Sequence, residues 1–433
     1  MSEQIKRPSW LRKKGETVQT DSLETNFGSA KDLYEKGWQY YDGGIYDLAV
    51  ECYLKAAEQG YADAQCQLGI CYENGKGVKQ DYEKAVEWYL KSAKQGYAKA
   101  QDELGGCYYE GKGVKQDYEK AVEWCLKAAE QGYAEAQGSL GLFYFEGKGV
   151  KQDYEKAVEW FFKSAEQGCA AAQYILGVCY GNGLGVKQDY EKAVEWYLKS
   201  AEQGFAVAQY NLGICYEQGE GVEQDYEKAV EWYRKSAEQG NAEAQNKLGI
   251  CYYNGEGVEL DYKKAAEWFC KSAEQGYATA QFNLGFCYDK GKGVEKNSKK
   301  AVEWYLKSAE QGYAEAQFNL GNYYYSRGGV LEAVKWYLKA AEQGYAEAQC
   351  ILGNCYYKGK GLQQDYKKAV KWHHKAAEQG HAEAQYNLGI CYENGKGVEQ
   401  DYEKAEEWYR EAAAQGHEKA IKKVKWLCDE SIY

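Results

Sequence analysis

The sequence predicts an all-α array of about eleven helix–loop–helix repeats, and three observations lead to this prediction. The glycine that ends each Ala-x-Gln-Gly block, such as Gly60 or Gly96, recurs with a spacing of 36 residues. One step of 32 residues, to Gly344, interrupts this spacing. Within each repeat the apolar residues recur at helical spacing. The only proline is Pro8, outside the array, which suits uninterrupted helices. A period of about 20–50 residues is typical of stacked small units rather than of one globular core.

The repeat 61–96 shows how each element is predicted. In its first half, Ala64 and Leu68 lie on one face of a helix. The stretch ENGKGVKQ then supplies Asn and Gly, which permit a turn. The second half begins with Asp81, a favoured N-cap residue, and Tyr89 lies on its apolar stripe. Because neither helix can bury its apolar face within one repeat, neighbouring repeats must stack.

Two further features of the repeats predict how they pack. Gly69 and its equivalents lie in mid-helix, where glycine costs ~1 kcal/mol relative to alanine. The recurrence of that cost predicts a backbone contact too close for a Cβ atom. On the second helix Glu87 and Lys91 are four residues apart, in the order that favours an ion pair on the exposed side. The loop is shortened in the first repeat and in the repeat 313–344.

The array divides the chain into three predicted parts. Residues 1–28 are expected to be a disordered, polar and basic N-terminal tail. Residues 29–416 form the repeat solenoid, and residues 417–433 form a capping helix and tail, which solenoids need for solubility. The capping helix is predicted from four apolar residues at helical spacing: Ala420, Ile421, Val424 and Leu427.

The repeat pattern resembles a known family. The pattern A-x-A-Q-x-x-L-G-x-x-Y-x-x-G-x-G-V-x-x-D-Y-x-K-A-x-x-W-Y-x-K-A is similar to the Sel-one-like repeat, a branch of the tetratricopeptide-repeat superfamily. This resemblance implies a right-handed α-solenoid with a concave inner surface. It also implies work as a scaffold or adaptor that binds other proteins.

Cysteine usage and charge indicate the compartment and the partner class. Eight of the fifteen cysteines occupy one repeat position, and equivalent residues of stacked helices lie about 9–10 Å apart, too far for a disulfide. A secreted branch of the family pairs cysteines eight residues apart, where this chain has residues such as Ala57 and Gln65. We therefore expect small core residues in a reducing compartment, the cytoplasm. The net charge of −12, with Lys and Glu interspersed, argues against a nucleic-acid partner, and no apolar run reaches the length of a membrane span.

The sequence contains no motif that predicts catalysis, a cofactor or a metal. His373, His374 and His381 form a loose cluster, but they and His417 are better explained as substitutions at packing positions. The GxGV loops lack the strand and the Lys-Ser/Thr pair of a phosphate loop. The carboxylates lie on exposed helix faces with lysines beside them, so no acid–base pair stands out. We expect a protein that is not an enzyme.

A comparison among the repeats predicts a binding face. On the first helix of the last ten repeats, positions equivalent to 62, 64, 65, 68, 69 and 72 are invariant, whereas positions equivalent to 63, 66, 67, 70, 73 and 74 vary within an arc of about 120°. In the superfamily this face lines the concave groove. Asparagine donors and acceptors could hold a peptide backbone while aromatic rings hold its side chains. The candidate groove residues are Tyr174, Tyr210, Asn211, Asn246, Phe282, Asn283, Phe318, Asn319, Asn322, Asn354, Tyr386 and Asn387.

These observations predict a scaffold or adaptor that binds another protein, as an extended peptide segment, along the concave face. Two alternatives remain at this stage. The candidate residues could be solvated or packing residues without a ligand, because single exposed aromatic residues are common. The array could also be a structural protein that self-associates into an oligomer. A mass that depends on concentration would favour self-association, whereas a monomer that captures a specific protein would favour the adaptor.

Overall fold

A computed structural model describes the backbone of residues 29–430 and the side chains as far as residue 425. The described chain contains 23 α-helices and no strand, which confirms the predicted all-α class. It divides into two compact bodies. The N-terminal body comprises the described residues up to 172 together with 184–186, and the C-terminal body comprises 173–183 and the residues from 187 onwards. The predicted tail, residues 1–28, lies outside the described residues.

Each repeat contributes a first and a second helix, and all the helices contain 13 residues. The first helices are α1 (Ala30–Asp42), α3 (Ala62–Asn74), α5 (Ala98–Glu110), α7 (Ala134–Glu146), α9 (Ala170–Asn182), α11 (Ala206–Gln218), α13 (Ala242–Asn254), α15 (Ala278–Lys290), α17 (Ala314–Ser326), α19 (Ala346–Lys358) and α21 (Ala382–Asn394). The second helices are α2 (Tyr46–Glu58), α4 (Tyr82–Lys94), α6 (Tyr118–Glu130), α8 (Tyr154–Glu166), α10 (Tyr190–Glu202), α12 (Tyr226–Glu238), α14 (Tyr262–Glu274), α16 (Ser298–Glu310), α18 (Val330–Glu342), α20 (Tyr366–Glu378) and α22 (Tyr402–Ala414), and α23 (Glu418–Glu430) follows them.

Within each body the helices stack in chain order. From α1 to α8, and again from α10 to α23, consecutive helices pack against each other. Both bodies are therefore α-solenoids, in which each repeat is stabilised mainly by its immediate neighbours. The last helix packs against α22 and buries Ala420, whereas Ile421, predicted on the same apolar stripe, is 47% exposed.

The second helices begin at the predicted cap. In α4 the side chain of Asp81 accepts a hydrogen bond from the backbone N–H of Lys84 at 3.1 Å. This satisfies one of the free donors of the first turn. The repeat ends at Gly96, whose φ of +88° is the left-handed conformation that favours glycine after a helix. Between the helices, Val78 of the GKGV loop packs against the core of the preceding repeat, so this loop is a packing element.

The mid-helix glycines make room for an aromatic ring rather than for a neighbouring backbone. A Cβ atom on Gly141 would lie 2.6 Å from the ring of Phe161, and one on Gly249 would lie 2.6 Å from the ring of Phe269. The sequence predicted a close contact at these positions, and the structure shows that a ring of the second helix makes it. We call this place on the second helix the ring position. In the eleven repeats it carries Tyr53, Tyr89, Cys125, Phe161, Tyr197, Tyr233, Phe269, Tyr305, Tyr337, His373 and Tyr409.

Buried polar side chains join successive helices. Gln65 is 6% exposed, and its Nε2 donates to the carbonyl of Ala57 in the preceding repeat at 3.0 Å. Its Oε1 accepts from Gln95 of its own repeat at 2.7 Å. The hydroxyl of Ser92 donates to the carbonyl of Ala62 at 2.7 Å. Because a buried amide or hydroxyl without a partner is costly, these bonds explain why the glutamine does not vary among repeats.

The outer charges pair differently from the sequence prediction. Lys91 Nζ lies 3.8 Å from the centroid of the Trp88 ring, one helical turn back. Lys163 lies 3.9 Å from the centroid of the Trp160 ring in the same way. The predicted i, i+4 ion pair is present in repeat three, where Lys127 Nζ is 2.8 Å from Glu123 Oε1. The same Lys127 Nζ lies 4.1 Å from the centroid of the Trp124 ring, because the face of a tryptophan ring attracts a cation.

Candidate functional site

The predicted aromatic residues all lie in the C-terminal body, and each packs against other rings. Tyr174 lies 5.6 Å from Phe205 and 5.9 Å from Tyr197 between ring centroids. Each of the others contacts the ring position of its own repeat at a similar distance: Tyr210 with Tyr233, Phe282 with Tyr305, Phe318 with Tyr337, and Tyr386 with Tyr409. The five candidate rings are half-buried. They therefore contribute to the stacking of repeats and present only part of each ring to solvent.

The predicted asparagines form hydrogen bonds along the same face. Asn283 Nδ2 donates to Asn246 Oδ1 at 2.9 Å, across neighbouring repeats. Asn387 Nδ2 likewise donates to Asn354 Oδ1 at 3.3 Å. Asn246 is only 4% exposed, so it lies beneath the surface instead of lining a groove. The sequence could not predict this burial, because it depends on how closely two first helices approach each other.

Two more asparagines use part of their bonding capacity inside the protein. Asn211 Nδ2 donates to the carbonyl of Val207 at 2.9 Å, one turn back in its own helix. Asn322 Oδ1 accepts from the hydroxyl of Tyr337 at 2.8 Å. An asparagine amide carries two N–H donors and an acceptor oxygen, so each side chain retains groups for a ligand.

We call the variable positions of the first helices the variable face. In the C-terminal body this face carries a row of four cavities with volumes of about 280, 310, 340 and 270 Å³ along the chain. Consecutive cavities share wall residues: Phe286 separates the first two, Asn322 the next two, and Asn354 and Lys358 the last two. Seven of the predicted residues line this row: Phe282, Asn283, Asn319, Asn322, Asn354, Tyr386 and Asn387.

The sequence analysis did not select several residues that line the row. Tyr253, Tyr325 and Tyr357 line three of the four cavities, and Lys358 lines two of them. These residues occupy the positions equivalent to 73 and 74, which belong to the same variable arc of the first helix. Their variation among repeats was therefore the signal that could have identified them.

Ion pairs between successive first helices also lie on the variable face. Lys247 Nζ is 2.9 Å from each carboxylate oxygen of Glu217 in the preceding repeat. At the end of the array Lys423 Nζ is 2.6 Å from Glu393 Oε1. Burial by itself would raise the pKa of Glu393, but hydrogen bonds from Lys423 and Tyr409 hold that pKa below its ordinary value. Both glutamates are already paired within the chain.

A family model described as the Sel1 repeat matches the chain eleven times in succession, over residues 28–61, 62–97, 98–133, 134–169, 170–205, 206–241, 242–277, 278–313, 314–345, 346–381 and 382–417. The chain belongs to the Sel1-repeat family. Among solved structures it is similar to c5321, a protective antigen of uropathogenic Escherichia coli strains that displays an SLR fold. That similarity has 43% identity, covers 93% of this chain and 88% of the antigen, and has a TM-score of 0.79.

A second similar structure is a Sel1 repeat protein from Oxalobacter formigenes. It is 36% identical, the match covers 56% of this chain and 96% of that protein, and the TM-score is 0.51. No curated protein sequence matches the chain. These comparisons agree with the tandem helical repeats described above, and Sel1-repeat proteins are generally scaffolds for protein interactions.

The histidines of the Sel1 repeats occupy packing and pairing positions. His373 is 1% exposed, and its ring lies against Gly353 as a tyrosine ring does elsewhere. Burial lowers the pKa of His373 to about 4, so its ring is neutral near pH 7. His417 Nε2 lies 2.8 Å from Glu383 Oε2. Across the described residues no group of three His, Cys, Asp or Glu side chains is arranged to hold a metal ion.

The cysteines within the described residues are free thiols, and most of them are buried. Burial raises the pKa of Cys71 and of Cys107 to about 12, so these thiols are protonated and poorly nucleophilic. They pack as small core residues, as their shared repeat position predicts. None of the described helices is both long enough and apolar enough to cross a membrane.

Proposed function

We propose that this protein is a non-catalytic scaffold that binds an extended segment of a partner polypeptide along the variable face of its C-terminal body. The observation that carries this proposal is the row of four cavities with shared walls. A continuous series of shallow cavities suits a chain that passes from one repeat to the next. Side chains of an extended segment point alternately to opposite sides, so every second one can enter a cavity.

The chemistry of the cavity walls supports a polypeptide ligand. Asn322 and Asn354 retain amide groups that can bind the peptide backbone, which offers a donor and an acceptor at nearly every residue. Tyr325 is 41% exposed and offers a ring face to an apolar side chain. The partly buried rings of Phe282 and Tyr386 form a fixed floor, so little side-chain entropy is lost on binding.

The variants that test this proposal must spare the rings that hold the repeats together. Tyr325→Ser and Lys358→Glu alter exposed side chains of the cavity row. Leu331→Ser and Lys371→Glu make the same kinds of change on exposed residues of second helices, and Leu331 is 68% exposed. All four variants should keep the wild-type helical content by circular dichroism.

The experiment selects peptides from a random peptide-display library on the immobilised full-length chain and then measures their affinity by fluorescence anisotropy. We expect Tyr325→Ser and Lys358→Glu each to weaken binding by about tenfold or more, and the two control variants to bind as the wild type does. Selected peptides that bind all four variants equally would disprove the groove. A mass that rises with concentration in analytical ultracentrifugation, with no peptide selected, would favour the self-associating alternative.

A further inference from the structure

The N-terminal body contains a cavity beside the ring position of repeat three, and the C-terminal body has equivalent cavities beside Phe269, Tyr337 and His373. At the ring position of repeat three stands Cys125, whereas the other ten repeats carry an aromatic or histidine ring there. Beside this small side chain is a cavity of about 240 Å³, between α5 and α7. Tyr109 and Phe143 form part of its wall and lie 5.5 Å apart between ring centroids.

Carboxyl groups line this cavity. Asp102 accepts a hydrogen bond from the thiol of Cys125 at 3.7 Å, and Glu103 lies beside it. Burial raises the pKa of Asp102 to about 6. Burial, followed by the charges of Glu73 and Asp102, raises the pKa of Glu103 to about 7, and Lys99 opposes the rise. Glu146 also lines the cavity but is paired with Lys148 at 2.8 Å.

A comparison among the repeats shows which kind of side chain lies beside a glutamate at the position of Glu73. Three first helices carry glutamate at the position of Glu73, and in each case the hydroxyl of the ring-position tyrosine donates to it. A residue 30 positions further along the chain faces that glutamate from the next repeat. For Glu217 and Glu393 this residue is a lysine whose ammonium group binds the carboxylate, Lys247 and Lys423 respectively.

For Glu73 the corresponding residue is Glu103, a second carboxylate. Within the described residues neither Glu73 nor Glu103 forms a salt bridge with a lysine, arginine or histidine of the chain. Two equivalent places in the same protein thus show an ammonium group bound at this position of the variable face. In the N-terminal body the position presents two facing carboxylates next to a cavity with aromatic walls.

We infer that the variable face of the N-terminal body binds a lysine- or arginine-bearing segment of a partner polypeptide, with a basic side chain seated between Glu73 and Glu103. The incoming cation takes the place that Lys247 and Lys423 take in their repeats. Asp102 adds negative charge, and the ring of Phe143 favours a cation or the apolar stem of the side chain. The ring of Tyr109 already has Lys148 Nζ 4.9 Å from its centroid. This site is separate from the cavity row of the C-terminal body and does not depend on the function proposed for it.

The decisive variant is Glu103→Lys, which copies the arrangement of Glu217 and Lys247 into the N-terminal body. The lysine of the variant should bind Glu73 and exclude the partner. Because lysine occupies the equivalent position twice in this chain, the variant is expected to fold, and Glu103→Gln provides a second test without a new charge. The matched control is Glu87→Lys, which makes the same change of charge on an exposed residue of the second helix.

The probes are fluorescein-labelled peptides of alternating lysine and serine, and the same peptides with norleucine or with glutamate in place of lysine. Fluorescence anisotropy is measured on the full-length chain at physiological ionic strength, where long-range attraction is screened. We expect the lysine peptide alone to bind. Glu103→Lys should weaken binding by about tenfold or more, Glu103→Gln by less, and Glu87→Lys should bind as the wild type does.

Three results would overturn the inference. Equal loss of binding in Glu103→Lys and Glu87→Lys would show a general charge effect. Equal binding of the norleucine peptide would show that the cavity takes an apolar side chain without a cation. Binding of free spermine at this site, with no binding of the lysine peptide, would show a polyamine site instead of a polypeptide site. In support, affinity should rise as the pH rises through about 7, because a bound cation favours the ionised form of Glu103.

Discussion

Repeat three of the N-terminal body and repeat ten of the C-terminal body both lack the tyrosine or phenylalanine that fills the ring position elsewhere. In repeat three, the small side chain of Cys125 lies at a cavity bordered by carboxyl groups. In repeat ten, His373 keeps a ring against Gly353 and preserves the packing, but it places an ionisable group where it is 1% exposed. The ring position therefore has two separate requirements, a side chain of sufficient volume and a side chain that stays uncharged when buried. Loss of volume and gain of an ionisable group have different consequences.

The largest expected effect comes from removing a ring in the C-terminal body. Phe269→Cys copies repeat three into repeat seven, where Phe269 is 2% exposed within a large apolar cluster. The change should lower the free energy of unfolding by roughly 3 kcal/mol, because it removes buried area and leaves a cavity. Urea denaturation followed by circular dichroism measures the change.

The matched variant is Cys125→Phe, which restores the ring in repeat three. It should be tolerated or slightly stabilising, because a ring at the equivalent position of repeats seven and nine coexists with a cavity beside it. If Cys125→Phe destabilised the protein as much as Phe269→Cys does, the cavity could not accommodate a ring, and the comparison between the two repeats would be wrong.

The next largest effect is a loss of folding stability at acid pH, which we expect from His373. Burial lowers the pKa of His373 from 6.5 to about 4, so the unfolded chain binds a proton more readily than the folded chain does. The stability that depends on neutral His373 is present above pH 6.5 and is lost as the pH falls from 6.5 towards 4. The full loss is on the order of 3 kcal/mol.

His373→Tyr should remove this part of the acid sensitivity, since a tyrosine ring is neutral throughout that range. The measurement is the urea midpoint of the wild type and the variant at several pH values between 4 and 7. His374→Tyr is the control, because His374 lies on the same helix but is partly exposed. Parallel pH profiles for the wild type and His373→Tyr would contradict the assignment.

Smaller effects on stability, opposite in sign to each other, are expected from substitutions at Glu103 and at its equivalent Lys247. Glu103→Lys should stabilise the N-terminal body by about 1 kcal/mol, and Lys247→Glu should destabilise the C-terminal body by a similar amount. The first variant replaces two facing carboxylates with an ion pair, and the second does the reverse. Thermal unfolding followed by circular dichroism measures both.

The stabilisation by Glu103→Lys should also depend on pH. The pKa of Glu103 is raised to about 7 in the folded chain from an ordinary value of 4.5, so the folded chain binds the proton more tightly. The wild type therefore loses stability as the pH rises from 4.5 to about 7, and Glu103→Lys should not show this loss. The gain from the variant should consequently be greater at pH 8 than at pH 5, and an equal gain at both would argue that Glu103 does not titrate in this range.

Much of the fold followed from the sequence, and part of the candidate site did. The helix periodicity, the cap at Asp81 and the closing glycine at Gly96 are local features, so they could be read from one repeat. The variable arc could also be predicted, because ten copies of the full pattern can be compared. Whether a variable residue reaches solvent could not be read: Asn246 is buried, whereas Tyr325 of the same arc is exposed.

The repeat, its two helices and the need for neighbours to stack follow from the amino-acid sequence, because they depend on hydrogen bonds and apolar spacing within about 36 residues. The packing of repeats on one another selects which side chains meet across repeats. It places a ring against the mid-helix glycine in every repeat except repeat three, pairs Glu217 with Lys247, and sets Glu73 opposite Glu103. Such pairings depend on the rise and rotation from one repeat to the next, which result from packing and are not encoded in any single repeat.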